Sequence, residues 1–206
     1  MSYNYKGISN HPEERQRLTY PYCYWNDAFT FAELDEISKI SSTNLSPSAI
    51  FGTEEIGIID TTTRISHNSF IFPNNQTHWI FEKLNQVIEI CNNKWYNFDL
   101  NGYDRYQYTE YHGNEKGRYD WHVNIGYGNG WNGNETRKLS LSLLLNEPSE
   151  FEGGELQIGS EKHYESTNMQ KGTVIVFPSF QMHRVTPVTK GIRKSLVVWV
   201  VGPKFK

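Results

Sequence analysis

Two stretches of this chain place histidine where chemistry could use it. In Tyr119-Asp120-Trp121-His122-Val123-Asn124, strand alternation puts His122 and Asn124 on one face and Val123 on the other. His183 follows Phe177-Pro178-Ser179-Phe180-Gln181-Met182 and precedes Arg184-Val185-Thr186-Pro187. Two imidazoles and one oxygen donor on a β scaffold form a facial metal site that leaves coordination positions open. Spacing alone also admits a plainer reading, in which each histidine bonds separately to a backbone carbonyl. Arg193 lies ten positions past His183, just ahead of the apolar run Ser195–Val201. A guanidinium turned into an apolar barrel is costly unless it meets an anion, and its planar fork suits a carboxylate. The alternative is a surface arginine at a strand end. The two cysteines, Cys23 and Cys91, have no evident histidine partner and read as packed core residues. Nucleotide-binding glycine motifs and a Gly-x-Ser-x-Gly elbow are absent.

The elements that would carry these residues follow from the pattern. Thr30-Phe31-Ala32-Glu33 has the form of a capping box, and Phe31, Leu34, Ile37 and Ile40 recur every third residue as one helix face. A second helix is expected from near Asn75 to Asn92-Asn93, with Trp79, Ile80, Leu84, Val87, Ile88 and Cys91 at the helical period. From about residue 103 the period changes. Short segments rich in aromatic or β-branched residues around 105–111, 119–124, 139–145, 155–158, 173–177 and 193–201 read as strands. A shorter strand is expected at Glu55–Asp60. Helices followed by many short strands suggest a sandwich, barrel or jelly roll. The first 25 residues read as an irregular arm whose tyrosines tuck against the rest. With 206 residues, 37% of them hydrophobic, a net charge of −3 and two cysteines, the chain reads as one globular domain (1–206, with an arm and supporting helices over 1–102 and a β core over 103–202). The acidic balance argues against nucleic acid. The lack of a secretion signal or a membrane-length apolar run, together with few cysteines, leads to an expectation of a cytoplasmic protein.

These residues resemble a known family, the 2-oxoglutarate/Fe(II)-dependent dioxygenases, and within it the prolyl-4-hydroxylase-like branch with the bacterial PKHD-type hydroxylases. The likeness runs from Gln107 to Trp199. Its pieces are Gln107-Tyr108-Thr109-Glu110-Tyr111, the Tyr-x-x-His segment at Tyr119–His122, Phe151-Glu152-Gly153-Gly154-Glu155-Leu156, and a closing block. That block reads Lys171-Gly172-Thr173-Val174-Ile175-Val176-Phe177-Pro178, then His183-Arg184-Val185-Thr186-Pro187-Val188, then Gly191-Ile192-Arg193-Lys194-Ser195-Leu196. The resemblance implies a double-stranded β-helix, or jelly roll, mainly β with N-terminal helices packed outside. It implies Fe(II) on His122 and His183, and 2-oxoglutarate chelating the metal with its far carboxylate on Arg193. Tyr111 stands where the family often has a co-substrate-binding tyrosine. The implied reaction uses O2, decarboxylates 2-oxoglutarate and hydroxylates a peptidyl or small-molecule substrate, with ascorbate as a reductant.

The sequence departs from the family at one position: the third metal ligand is normally aspartate, and here it is Asn124. An amide oxygen can coordinate a metal but brings no charge, so Fe(II) binding should weaken. Three readings follow: an oxygenase for which the amide suffices, with 2-oxoglutarate helping to hold the iron; an inactivated oxygenase scaffold that binds without turnover; or an engineered Asp-to-Asn change. Halogenation needs an empty ligand position, which Asn124 fills. Asp120, two residues before His122 and so on the same strand face by alternation, is a further carboxylate to weigh, although the family's ligand lies beyond the histidine. After Asn124, four glycines within Gly126–Gly133 surround Tyr127 and Trp131. This loop reads as a lid over substrate, or equally as a surface hairpin. Arg64, in Thr62-Thr63-Arg64-Ile65-Ser66, resembles a family feature at the cavity mouth; a surface ion pair explains it as well. The competing class is a non-catalytic jelly-roll binding module.

Overall fold

The structure is a computed structural model, and it describes residues 20–49, 58–126 and 135–205. Strand β1 (Cys23–Trp25) leads to helix α1 (Phe31–Ser41), followed by β2 (Ser46–Pro47), β3 (Arg64–Ile65), β4 (His67–Ile71) and helix α2 (His78–Cys91). The β core then runs through β5 (Gly102–His112), β6 (Arg118–His122), β7 (Glu135–Leu144), β8 (Phe151–Gly153), β9 (Leu156–Gly159) and β10 (Tyr164–Ser166). It closes with β11 (Val174–Pro178), β12 (His183–Val185) and β13 (Val188–Pro203).

Two antiparallel sheets result among the described residues. The larger has the order β1-β11-β7-β13-β5-β4-β2, with β8 also on β13; the smaller has the order β10-β9-β12-β6-β3. Period-2 alternation sorts the side chains of the large sheet into two layers. On one face Tyr106, Tyr108, Leu139, Leu141, Leu143, Val174, Val176, Leu196, Val198 and Val200 form a core with Leu34 and Ile37 of α1 and Ile80, Leu84, Val87, Ile88 and Cys91 of α2. Burying each such aliphatic side chain contributes about 1.5–3 kcal/mol. The opposite face meets the small sheet through a second cluster in which Tyr111, Leu144, Ile175, Phe177 and Val188 pack on Leu156, Ile158 and Val185. The result is the expected jelly roll, mostly β, with its helices outside.

The capping box is real: Thr30 Oγ1 accepts from Glu33 N at 3.3 Å, and Thr30 N donates to Glu33 Oε2 at 2.8 Å. The helix face is narrower than its every-third-residue reading. Leu34 and Ile37 are buried, but Phe31 is exposed and carries Lys171 over its ring. A period of three drifts about 60° per step against 3.6 residues per turn, so Phe31 falls off the buried stripe. The second helix begins at His78, after an Asx turn in which Asn74 Oδ1 accepts from Gln76 N and Thr77 N. Past Cys91 the chain continues as one π turn, Asn92–Tyr96, that ends on left-handed Asn97.

Part of the arm is strand, not irregular chain: Cys23–Trp25 pairs with Val174–Val176. The strand expected at Glu55–Asp60 is reduced, over its described part, to a single β-bridge at Ile58. Ile58 and Ile59 are exposed, and Asp60 instead starts a turn by accepting from Thr62 and Thr63. The remainder of that segment, and Tyr127 and Trp131 with their loop, lie outside the described residues. Among the described residues no helix is long and apolar enough to cross a membrane.

Candidate active site

His122 and His183 are register partners on neighbouring antiparallel strands β6 and β12, and their ring centroids lie 4.1 Å apart. Each ring is held by its inner nitrogen. His122 Nδ1 lies 2.7 Å from the Asp120 carbonyl and His183 Nδ1 lies 2.9 Å from the Gln181 carbonyl. A carbonyl can only accept, so both Nδ1 atoms carry the proton and both Nε2 atoms are acceptors. Burial holds both imidazoles neutral: His122 lies well below the usual range, helped by neighbouring His183, and His183 is lowered to about 4. Two neutral imidazoles side by side, each with an Nε2 lone pair, can bind a metal ion.

A register shift between β6 and β12 sets the remaining geometry: Val185 pairs with Tyr119, while His183 pairs with His122. The extra residue breaks strict alternation, so Tyr119 and His122 both face inward although three positions separate them. The Tyr119 ring stacks on His122 at 3.4 Å and 15°, and the Arg64 guanidinium carbon lies 4.7 Å from the Tyr119 ring centroid. The same bulge turns Asp120 outward. Its carboxylate is exposed and accepts from Trp121 N at 2.8 Å, so its placement on the His122 face is overturned. Asp120 supports the site through its carbonyl alone.

Asn124 comes just after the end of β6, where its backbone N–H donates to the Ser179 carbonyl at 2.8 Å. Its Nδ2 donates to Ser140 Oγ at 3.0 Å and lies 3.2 Å from His183 Nε2; Ser140 Oγ in turn lies 2.9 Å from Ser179 Oγ. Among the described residues no three His, Cys, Asp or Glu side chains converge as a metal site, which leaves Asn124 as the third group beside the two histidines.

Arg193 lies opposite, on β13 beside Tyr111 of β5, and is only 2% exposed. Its contacts are soft: Nη2 is 3.9 Å from Met169 Sδ, and Cζ is 5.8 Å from the Tyr111 ring centroid. No carboxylate pairs with it among the described residues. Burial lowers its pKa, and Tyr111 opposes that shift. Ser195 Oγ and Trp199 Nε1, on the same face of β13, are buried without a hydrogen-bond partner among the described residues. Arg193, Ser195, Trp199, Tyr111, Arg64, His122, Asn124 and His183 all line one cavity, with about 40 Å³ open to the centre of a water-sized sphere. A wall of unsatisfied donors fits a ligand rich in acceptor oxygens, and the buried unpaired guanidinium fits a carboxylate.

Arg64 is thus a cavity residue, not half of a surface ion pair. It is 6% exposed and donates through Nε to Ser66 Oγ at 2.8 Å. The sequence reading missed Ser140, Ser179 and the unpartnered Ser195 and Trp199. One signal was available: serines alternating with leucines in Leu139-Ser140-Leu141-Ser142-Leu143 mark a polar lane on a buried strand.

Comparison with known proteins agrees with this geometry. Residues 106–201 match the family model of the 2OG-Fe(II) oxygenase superfamily. A PKHD-type hydroxylase of Psychrobacter sp. is 45% identical over 62 residues, covering 30% of this chain and 24% of the relative. A PKHD-type hydroxylase of Picosynechococcus sp. is 48% identical over 62 residues, 30% of this chain and 28% of the relative. The chain thus spans about a quarter of the length of these curated relatives. In fold it is similar to a Pseudomonas putida prolyl-4-hydroxylase (TM-score 0.69, 17% identity, 91% of this chain and 95% of that one). It is also similar to the viral collagen prolyl hydroxylase of Paramecium Bursaria Chlorella virus-1 in its 2OG complex (TM-score 0.66, 17% identity, 89% and 97%). The resemblance read from the sequence is borne out: residues 106–201 match the 2OG-Fe(II) oxygenase superfamily model, and the jelly roll is similar in fold to that of a prolyl-4-hydroxylase.

Proposed function

We propose that the protein is a 2-oxoglutarate- and Fe(II)-dependent hydroxylase of prolyl-4-hydroxylase type, acting on a peptidyl or small-molecule substrate. The observation that carries this reading is Arg193, a buried guanidinium with no carboxylate partner among the described residues, in the same cavity as two neighbouring neutral imidazoles.

In this reading His122 Nε2, His183 Nε2 and Asn124 Oδ1 hold the metal. Arg193 would hold the far carboxylate of 2-oxoglutarate, with Ser195 Oγ and Tyr111 lining that end. The iron and the keto acid, with O2, supply the oxidising power, and ascorbate serves as reductant; the protein supplies binding, orientation and a dry cavity. The Asp120 and Gln181 carbonyls fix the histidine tautomers, and the stacked Tyr119 ring holds the plane of His122. Phe177, Leu156, Val185 and Val197 exclude water from the reacting centre. Tyr127 and Trp131, outside the described residues, remain candidates for substrate contact. A peptide substrate is supported by likeness in fold to a Trichoplax adhaerens prolyl hydroxylase in complex with a hypoxia inducible factor peptide fragment (TM-score 0.67, 16% identity).

The test is direct. Anaerobic Fe(II) plus 2-oxoglutarate should give a visible charge-transfer band, and admitting air should release succinate. A folded protein that gives neither is a binding module on an oxygenase fold, which is the reading the Asn124 amide would favour.

A further inference from the structure

We propose that Asn124 couples metal binding to the keto acid, so that a divalent ion binds this site weakly until 2-oxoglutarate is present. The proposal rests on the functional reading above and adds a rule of assembly to it. Its first support is hydrogen-bond accounting. His183 donates through Nδ1 to the Gln181 carbonyl, so its Nε2 is an acceptor, and the atom that meets it is Asn124 Nδ2 at 3.2 Å. The second proton of the same amide goes to Ser140 Oγ, which is locked to Ser179. One lone pair cannot both accept this N–H and hold a metal. Binding an ion at His183 therefore requires the amide to let go and present Oδ1. An aspartate would have no such proton to give.

The second support is charge. His122, His183 and Asn124 are all neutral donors, so these three groups bring no negative charge to the metal, and no carboxylate joins them among the described residues. Arg193 and Arg64 line the same cavity, and neither has a carboxylate partner among the described residues. A lone dication would enter a partly desolvated hollow beside two guanidinium groups with nothing to offset it. The dianionic keto acid supplies what is missing at both ends: one carboxylate for Arg193 and an anionic ligand for the metal. By linkage, whatever factor the keto acid adds to metal affinity the metal adds to keto-acid affinity.

The experiment uses Mn(II) as the probe, with free aqueous Mn(II) counted by its paramagnetic resonance under anaerobic conditions, on the full chain with and without saturating 2-oxoglutarate. The expected result is a drop in the Mn(II) Kd on the order of 100-fold when 2-oxoglutarate is present, at the strong end of known couplings. Calorimetric titration of 2-oxoglutarate with and without Mn(II) should return the same factor. Asn124→Asp should bind Mn(II) alone more tightly than the natural chain does, and should gain less from 2-oxoglutarate. If the natural chain binds Mn(II) equally well with and without 2-oxoglutarate, within threefold, the coupling is refuted while the oxygenase reading stands. If neither ligand binds, alone or together, both fall. The measurements on the natural chain decide the question even if the aspartate variant fails to fold.

Discussion

Replacing Arg193 with methionine should make the protein more stable and cost it its keto acid, a pair of effects that only a receptor for an absent anion predicts. The guanidinium is 2% exposed, and its contacts are a thioether sulfur and an aromatic ring. Apolar replacement of buried ionic groups is commonly stabilising by about 1–4 kcal/mol, and methionine roughly conserves the length of the side chain. At this chain size about 1 kcal/mol corresponds to roughly 2–4 °C in Tm, so the ligand-free variant should melt several degrees higher. Binding should move the other way. Truncating one partner of a desolvated, hydrogen-bonded charge pair costs about 2–5 kcal/mol, which is roughly 30- to 5,000-fold in the 2-oxoglutarate Kd. The natural chain gains about 2.7 kcal/mol at a ligand concentration 100 times its Kd, a gain the variant forgoes. The two melting curves should therefore close up or cross as 2-oxoglutarate is titrated with Mn(II) present throughout. Arg193→Lys keeps the charge but loses the fork, and should fall between them. A methionine variant that melts below the natural chain and still binds 2-oxoglutarate within threefold would refute the reasoning, because Arg193 would then be structural.

Three further outcomes are expected. His183 has its pKa lowered from 6.5 to about 4, so the unfolded chain takes up a proton before the folded one does. Its contribution is complete above pH 6.5 and is lost as pH falls toward 4, on the order of 3 kcal/mol, and His183→Gln should lack that part of the pH dependence in urea denaturation. Gly154→Ala should weaken 2-oxoglutarate binding at least tenfold as well as destabilise the fold: Gly154 sits at φ +65, and an added Cβ would lie 2.9 Å from Arg193 Cδ and from Val188 Cγ2. Calorimetry on whatever fraction folds checks this, and unchanged affinity would count against the placement of Arg193. Thr30→Ala removes the capping box far from the cavity, costing about 1 kcal/mol and so about 2–4 °C in thermal melting, with 2-oxoglutarate affinity unaffected.

The features legible in the sequence were those that strand periodicity and chemical type determine together. Arg193 stands ahead of an apolar run, and alternation alone carries Arg193, Ser195, Val197 and Trp199 to the cavity while Leu196, Val198 and Val200 go to the helices. What escaped was set by partners distant along the chain. The β-bulge that brings Tyr119 inward and turns Asp120 out arises where β6 meets β12, and no property of residues 119–122 by themselves encodes it. Cys23–Trp25, Arg64–Ile65 and His67–Ile71 were not read as strands because they are short and gain order from pairing with β11, β6 and β5. The first residues of β13, Val188 to Gly191, lack an apolar pattern, and Gly191 has a φ of +69; their strand pairs with β8. Asn124 combines both cases. Its identity flagged a missing charge from sequence alone, but its role follows from Ser140 and Ser179, which reach it from β7 and from the turn after β11. That is why substituting those serines tests the site as directly as substituting its ligands: the amide can exchange its hydrogen bonds for a metal only as readily as this polar lane lets it turn.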